Sequence, residues 1–271
     1  PRTLRDFITH HLQYTFSVKA TAPLREAVAD ILIPPLQRTG ETRIVDVCSG
    51  GGGPLIAVLP HLSARLGKPV TARLTDLFPN EDAFRAIESE TKGAATGELR
   101  SVSAFDVPQD LGKFQTVFTA LHHFKPEDAK RVLADAAAKG RSIAVIEPFN
   151  RKATIPTTIG GFLLGWLRTP FMGRMTVARF LWTYPVPIAP LVLAWDGCVS
   201  CLRAYTPNEM LAMGREVASH YEWEAGERVV VLPMAKLTLT YLTGEPAGQS
   251  APPDEDRRLS TPDCAEREPT Q

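Results

Sequence analysis

The segment Val45-Asp46-Val47-Cys48-Ser49-Gly50-Gly51-Gly52-Gly53-Pro54 has the composition of a ligand-binding bend. Glycines permit positive φ and let a ligand lie against bare backbone. A helix opening just after them offers unpaired N–H groups to an anionic group. Asp46, ahead of the glycines, suits a cationic or amino group, and Ser49, Gly50 and Gly52 are the neighbouring candidates for contact. A dinucleotide loop uses the same elements, but its pattern is G-x-G-x-x-G. Glycines 50, 52 and 53 do not fill that spacing, and Asp46 would face a pyrophosphate. A turn without a ligand would have to order four consecutive glycines, which is entropically costly.

Further chemistry-bearing residues stand at the ends of short apolar runs. Asp76 closes Thr-Ala-Arg-Leu-Thr-Asp-Leu and Asp106 lies in Ser-Ala-Phe-Asp-Val-Pro. A carboxylate there can accept from two hydroxyls at once. His122 and His123 follow in Ala-Leu-His-His-Phe. Histidine titrates near neutrality and can take a proton from a hydroxyl or amine; the alternative is a packing role. Glu147, in Ile-Glu-Pro-Phe, could orient a substrate group or form an ion pair with Arg151 or Lys152, the reading favoured here. Trp195, Asp196, Arg203 and Tyr205 form a polar and aromatic group. Arg203 could bind an anion and Asp196 could act as a base, or the two could pair with each other.

Positioning these residues requires alternating elements. Strands are predicted over 43–47, 70–76, 99–102, 115–120 and 142–147, with helices over 53–66, 80–91 and 125–138. Strands alternating with helices imply right-handed βαβ units in a parallel sheet, which binds ligands beyond the carboxyl ends of its strands. Residues 1–40 read as helical, through Leu4, Phe7, Ile8 and Leu12 and then a run from 23 to 36 ending at Pro34-Pro35. Thr206-Pro207-Asn208-Glu209 is a capping box opening a helix to about residue 219. Two strands, 221–228 and 236–242, follow, and the polar tail from Glu245 is expected to be disordered.

Composition narrows the classes. Basic and acidic residues number 30 each, so the basic excess that phosphate contact demands is absent and no nucleic-acid partner is expected. Cys48, Cys198, Cys201 and Cys264 lack the second pair or nearby histidines of a zinc site, so reduced thiols and no metal are expected. The first residues show no signal-peptide pattern, which with the thiols gives a cytoplasmic expectation. Residues 159–195 are strongly apolar but broken by arginines and prolines, which favours a buried lid or a weak membrane-surface contact over a spanning helix.

The bend resembles the first motif of the class I (Rossmann-like) S-adenosylmethionine-dependent methyltransferases, D/E-x-G-x-G-x-G: Asp46, Gly50 and Gly52 match, and Cys48 replaces the first glycine. The resemblance covers about residues 40–150 well and 205–243 loosely. It implies an α/β doubly wound, mainly parallel seven-stranded sheet with an antiparallel last strand. It divides the chain into a helical cap (1–40), a core domain (41–244) with a substrate lid inserted at 151–205, and a tail (245–271). Asp76, beside Leu77, would take the ribose hydroxyls of S-adenosylmethionine. Asp106 would hold the adenine amino group, with Phe105 or Val107 against the ring. Thr119, Ala120 and Leu121 would floor the methyl donor, and Tyr14 would reach its carboxylate. The implied reaction is direct methyl displacement onto a small acceptor, which the apolar insertion suggests is lipophilic or aromatic. A nicotinamide-dependent oxidoreductase and a non-catalytic cofactor-binding protein are the rival readings.

Overall fold

The computed structural model describes Tyr14 and residues 19–171, 175–233 and 235–248. Seven strands form one sheet in the order β3-β2-β1-β4-β5-β7-β6. They are β1 (Arg43–Val47), β2 (Thr71–Leu74), β3 (Ala95–Gly97), β4 (Phe114–Phe118), β5 (Ser142–Glu147), β6 (Tyr221–Leu232) and β7 (Ala235–Pro246). The first five run parallel; β7 is antiparallel to both β5 and β6. Every residue of β4 and β5 is buried, as parallel strands covered on both faces require.

One face carries α1 (Ala22–Thr39), α2 (Leu55–Leu66) and α3 (Glu81–Glu90), packed through Leu32, Leu62 and Phe84. The other carries α4 (Pro126–Ala138), through Val132 and Leu133, and a later helix, α8 (Pro207–Val217), through Met210. The strand order reverses between β1 and β4, so the crevice favoured for ligands opens at their carboxyl ends. After β5 come α5 (Thr154–Arg168), α6 (Val177–Thr183) and α7 (Ile188–Arg203). α5 and α7 cross closely because glycines leave room: a Cβ on Gly165 would lie 3.0 Å from Leu193. The capping box at Thr206 and Glu209 is formed.

Several boundaries differ from those read in the sequence. The third strand is Ala95–Gly97, and 99–102 is a loop. Gly97 decides this: any Cβ there would fall 2.3 Å from the Phe84 ring, so only glycine lets α3 pack onto the strand. α1 continues through Pro34-Pro35 and stops at Gly40, where φ is +69°. Burial of Ile33, Pro35 and Leu36 against the sheet layer outweighs the missing donors. α2 starts at Leu55, since Gly52 and Gly53 both have positive φ. The closing hairpin is longer than expected, and β7 runs to Pro246 with Glu245 paired to Arg38 at 2.5 Å. The helical run through Leu4 and Leu12, and the tail beyond 248, lie outside the described residues.

One core position is poorly matched to its place. Gln115, in the middle of β4 between Val45 and Ile143, is fully buried, and neither its Oε1 nor its Nε2 has a partner. A buried polar group left unpaired costs about 1–3 kcal/mol. Gln115→Met keeps the volume and removes the amide, and is expected to raise unfolding stability by about 1–3 kcal/mol in a urea titration. A loss of stability would mean that the amide is satisfied by buried water.

Candidate functional site

The carboxyl ends of β2, β1, β4 and β5 lie side by side, about 5 Å apart strand to strand. They bring together the residues after each strand: Asp76, the Cys48–Gly53 bend, Thr119–His123 and Glu147. The bend is built from left-handed residues: Cys48, Gly50, Gly52 and Gly53 have φ of 58°, 55°, 99° and 50°. Cys48 therefore adopts the conformation that a glycine takes freely, at a strain of about 1–2 kcal/mol. Burial, reinforced by the charges of Asp76 and Asp46, pushes its thiol up to about 12, so it stays protonated. A Cβ on Gly52 would meet Ile87 at 2.3 Å, whereas one on Gly50 would meet nothing within 4 Å. The bend thus packs down on α3 at Gly52 and leaves an open side at Gly50.

Asp76 holds this shape. Its Oδ2 accepts from the Gly50 N–H and its Oδ1 from the Phe78 N–H, both at 2.9 Å. Each carboxylate oxygen has a second lone pair to offer. Leu77 is half exposed beside it, and so is Leu99 from the adjoining loop.

Asp46 and Ser49 are placed differently from expectation. Asp46 is 2% exposed, and its carboxylate accepts from Thr116 Oγ1 at 2.6 Å and Ser49 Oγ at 2.7 Å. The two hydroxyls occupy the face expected to meet a ligand amine. Ser49, also buried, ties β1 to β2 through its N–H to Thr75 O. Desolvation raises the Asp46 carboxyl to about 7, with the two hydroxyl hydrogen bonds opposing the shift. A folded-state value above the ordinary 3.8 means that the folded protein holds a proton the unfolded chain has lost. Stability should therefore fall as pH rises from about 4 to about 7, by about 1–4 kcal/mol. Asp46→Asn should flatten that slope, read as the difference between urea-unfolding curves of the two proteins at pH 5 and pH 8. A wild-type slope no steeper than the variant's would refute the assignment.

The turn after β4 carries a second strained residue, Thr119 at φ +51°, followed by buried Ala120. A β-branched residue with positive φ is a genuine outlier and persists only where its surroundings enforce it. Next to it, Glu147 corrects the sequence expectation. Arg151 pairs with Glu209 instead, while Glu147 is 1% exposed and binds His122. Its Oε2 lies 2.8 Å from His122 Nδ1, and its Oε1 accepts the His122 backbone N–H. The carboxylate fixes the proton on Nδ1 and leaves the Nε2 lone pair. That Nε2 is buried with no partner. His123 is exposed, with its ring centroid 4.2 Å from that of His122; Phe149 packs edge-on at 5.2 Å. Desolvation lowers the His123 ring below its ordinary value, and neighbouring His122 adds to this.

The base of α7 touches the His122–His123 turn. Asp196 slightly raises and Arg203 slightly lowers the His123 value, so both charges lie within electrostatic range of that ring. They form no salt bridge with each other among the described residues, so the pairing that the sequence allowed between them is not made. They are two helical turns apart, and Arg203 is exposed. Trp195 is 71% exposed and does not converge on the histidines. Tyr205 donates to Phe124 O, a structural link.

Asp106 and Val107 depart most from the implied adenine site. Asp106 is 87% exposed in its side chain and bound to Lys139 at 2.7 Å, whose ammonium also reaches Asp135. Val107 is wholly buried and its N–H is held by Asp135. Asp135 and Lys139, at the C-terminal end of α4, hold this segment. Phe105 lies against Phe124 and under the Arg131 guanidinium, 4.1 Å from the ring centroid. Tyr14 is partly buried and helical, and its neighbours in the chain lie outside the described residues. Thr116 and Phe149 were not singled out in the sequence. Thr116 sits mid-strand, where nothing distinguishes it from a packing residue; Phe149 could have been noticed two positions after Glu147.

No metal-binding group of three or more ligating side chains exists among the described residues. The sheet order and the single antiparallel strand define a doubly wound α/β protein whose site lies at the strand-order switch. No protein-family model matches the sequence, and no curated protein matches it. Solved structures do. An O-methyltransferase family protein from Burkholderia thailandensis is 16% identical, with 86% of this chain and 62% of that one covered, at a TM-score of 0.44. A magnesium protoporphyrin IX methyltransferase from Synechocystis, with bound SAH, is 11% identical, covering 82% of this chain and 83% of that one, at 0.45. An O-methyltransferase from neocarzinostatin biosynthesis, in complex with S-adenosylmethionine and a naphthoic acid, is 14% identical, covering 82% and 58%, at 0.45. The chain spans less than two thirds of the length of the first structures matched.

Proposed function

We propose that the chain is an S-adenosylmethionine-dependent methyltransferase that methylates a hydroxyl of a small lipophilic or aromatic acceptor. The observation that carries this reading is the buried Nε2 of His122, which has no hydrogen-bond partner among the described residues, on a ring whose Nδ1 lies 2.8 Å from Glu147 Oε2. The cofactor supplies a methyl group already activated on a sulfonium. The chain is then left with binding, orientation and one proton. Asp76 has lone pairs for ribose hydroxyls, and the open side of Gly50 admits a ligand against backbone. His122 Nε2 accepts the hydroxyl proton, and Glu147 steadies the resulting imidazolium. The apolar α5–α7 insertion excludes water and favours an apolar acceptor. Nothing in the site resembles a pyrophosphate cradle, which leaves the nicotinamide reading without support.

Thermal-shift titration with S-adenosylmethionine, S-adenosylhomocysteine and NADH tests the cofactor. The first two should raise the unfolding temperature, and NADH should not. Stabilisation by NADH alone would transfer the chain to the oxidoreductases. A panel of hydroxylated acceptors of graded polarity tests the second half. Cofactor binding with no turnover would leave a non-catalytic binder, and turnover of only the polar acceptors would remove the lipophilic assignment.

A further inference from the structure

We propose that the α5–α7 insertion docks on the surface of an anionic phospholipid bilayer. α5 is an apolar helix of fifteen residues with one buried residue, Gly165. Its outward face carries Ile155, Ile159, Leu163 and Trp166, at the three- and four-residue spacing of a single stripe, all exposed. α7 adds Leu191, Trp195 and Leu202 on an outward stripe of its own. Exposed large apolar side chains gathered at this density in one segment mark an interaction site.

Two features select the occupant. Three of the four tryptophans of the chain, Trp166, Trp182 and Trp195, lie here at 42%, 46% and 71% exposure. Tryptophan settles at the membrane–water boundary, where its ring is apolar and its N–H is wet. Residues 151–203 also hold six basic residues against one acidic in a chain whose net charge is zero; Arg151 is paired with Glu209 and Arg203 lies near His123, which leaves Lys152, Arg168, Arg174 and Arg179 as the basic residues in the sequence of the insertion. Basic residues flanking an apolar, tryptophan-bearing face complement acidic headgroups. The same excess argues against a second copy: two-fold pairing of this face would set basic against basic. No single helix among the described residues is long and apolar enough to cross a bilayer. α6 and α7 pass that test only together, bent by 64°; in the docked state proposed here they lie along the surface, and α7 also touches the His122–His123 turn. Docking stands apart from the methyl-transfer reading, although a bilayer would also deliver a lipophilic acceptor.

Flotation of the full chain with vesicles is the test. The chain should float with phosphatidylcholine vesicles that contain phosphatidylserine, far less with phosphatidylcholine alone, and less as salt is raised. Ile159→Glu with Leu163→Glu should reduce the bound fraction constant by at least about tenfold, and Arg168→Glu by several-fold on anionic vesicles only. All three side chains stand on the surface of the insertion, and circular dichroism checks that the variants fold. The proposal is overturned if the wild type stays in the vesicle-free fraction, floats equally with neutral lipid, or floats no better than the variants. It is also overturned if the wild type forms a dimer that Ile159→Glu dissolves and does not float. Flotation needs no cofactor, so a failed thermal shift with S-adenosylmethionine and a failed flotation are separate outcomes.

Discussion

His122→Asn should lower turnover of a hydroxylated acceptor by about 100- to 10,000-fold, with S-adenosylmethionine affinity nearly unchanged. The Asn side-chain amide can still donate to Glu147, so the turn after β4 keeps its anchor. What disappears is the lone pair of Nε2, a buried atom with no hydrogen-bond partner among the described residues. Glu147→Gln should act in the same direction and more weakly: the amide oxygen still orients the ring, but no charge steadies the imidazolium. His123→Ala is the control, because it leaves the His122–Glu147 pair intact. Its loss should be smaller than that of His122→Asn. Steady-state kinetics with calorimetric cofactor binding read both quantities. Full activity in His122→Asn, or a larger loss in His123→Ala, would move the base to the exposed ring.

The second large effect is on binding. Asp76→Ala should weaken S-adenosylhomocysteine binding by about 1–3 kcal/mol, the worth of hydrogen bonds to a charged acceptor. Two contributions are expected, because Asp76 also holds the Gly50 and Phe78 N–H groups that shape the bend. Asp76→Asn separates them. Its single carbonyl oxygen can keep one of the two backbone bonds, while the charge and half of the acceptor capacity are lost. Calorimetry should rank the affinities wild type, Asn, Ala. Equal affinity in all three would dissociate Asp76 from the ligand and leave it a loop anchor only.

Legibility varied with the range of the interactions concerned. The glycine bend, Asp76 and the two histidines were visible because each is a residue type at the end of an apolar run, and the run is a local pattern. Glu147 was visible as a residue but not in its role. Its nearest charges in sequence are Arg151 and Lys152, yet its partner is His122, twenty-five residues away in the turn after the neighbouring strand. Asp106 is a similar case. It follows the third strand, but its ion-pair partner, Lys139, stands thirty-three residues on. The third strand itself moved because a glycine had to pass beneath Phe84, a contact between elements that periodicity does not encode.

The sequence alone determined the alternation of strands and helices, hence a mainly parallel sheet whose strand ends gather the bend, the acidic residues and the histidines on one edge. Burial and local conformation follow the order of residue types, and that order is printed in the chain. Tertiary structure decided which carboxylate pairs with which neighbour, which polar atom is left without a partner, and which apolar helices stay uncovered. Those outcomes depend on distances between strands and helices far apart in the chain, and only packing sets them.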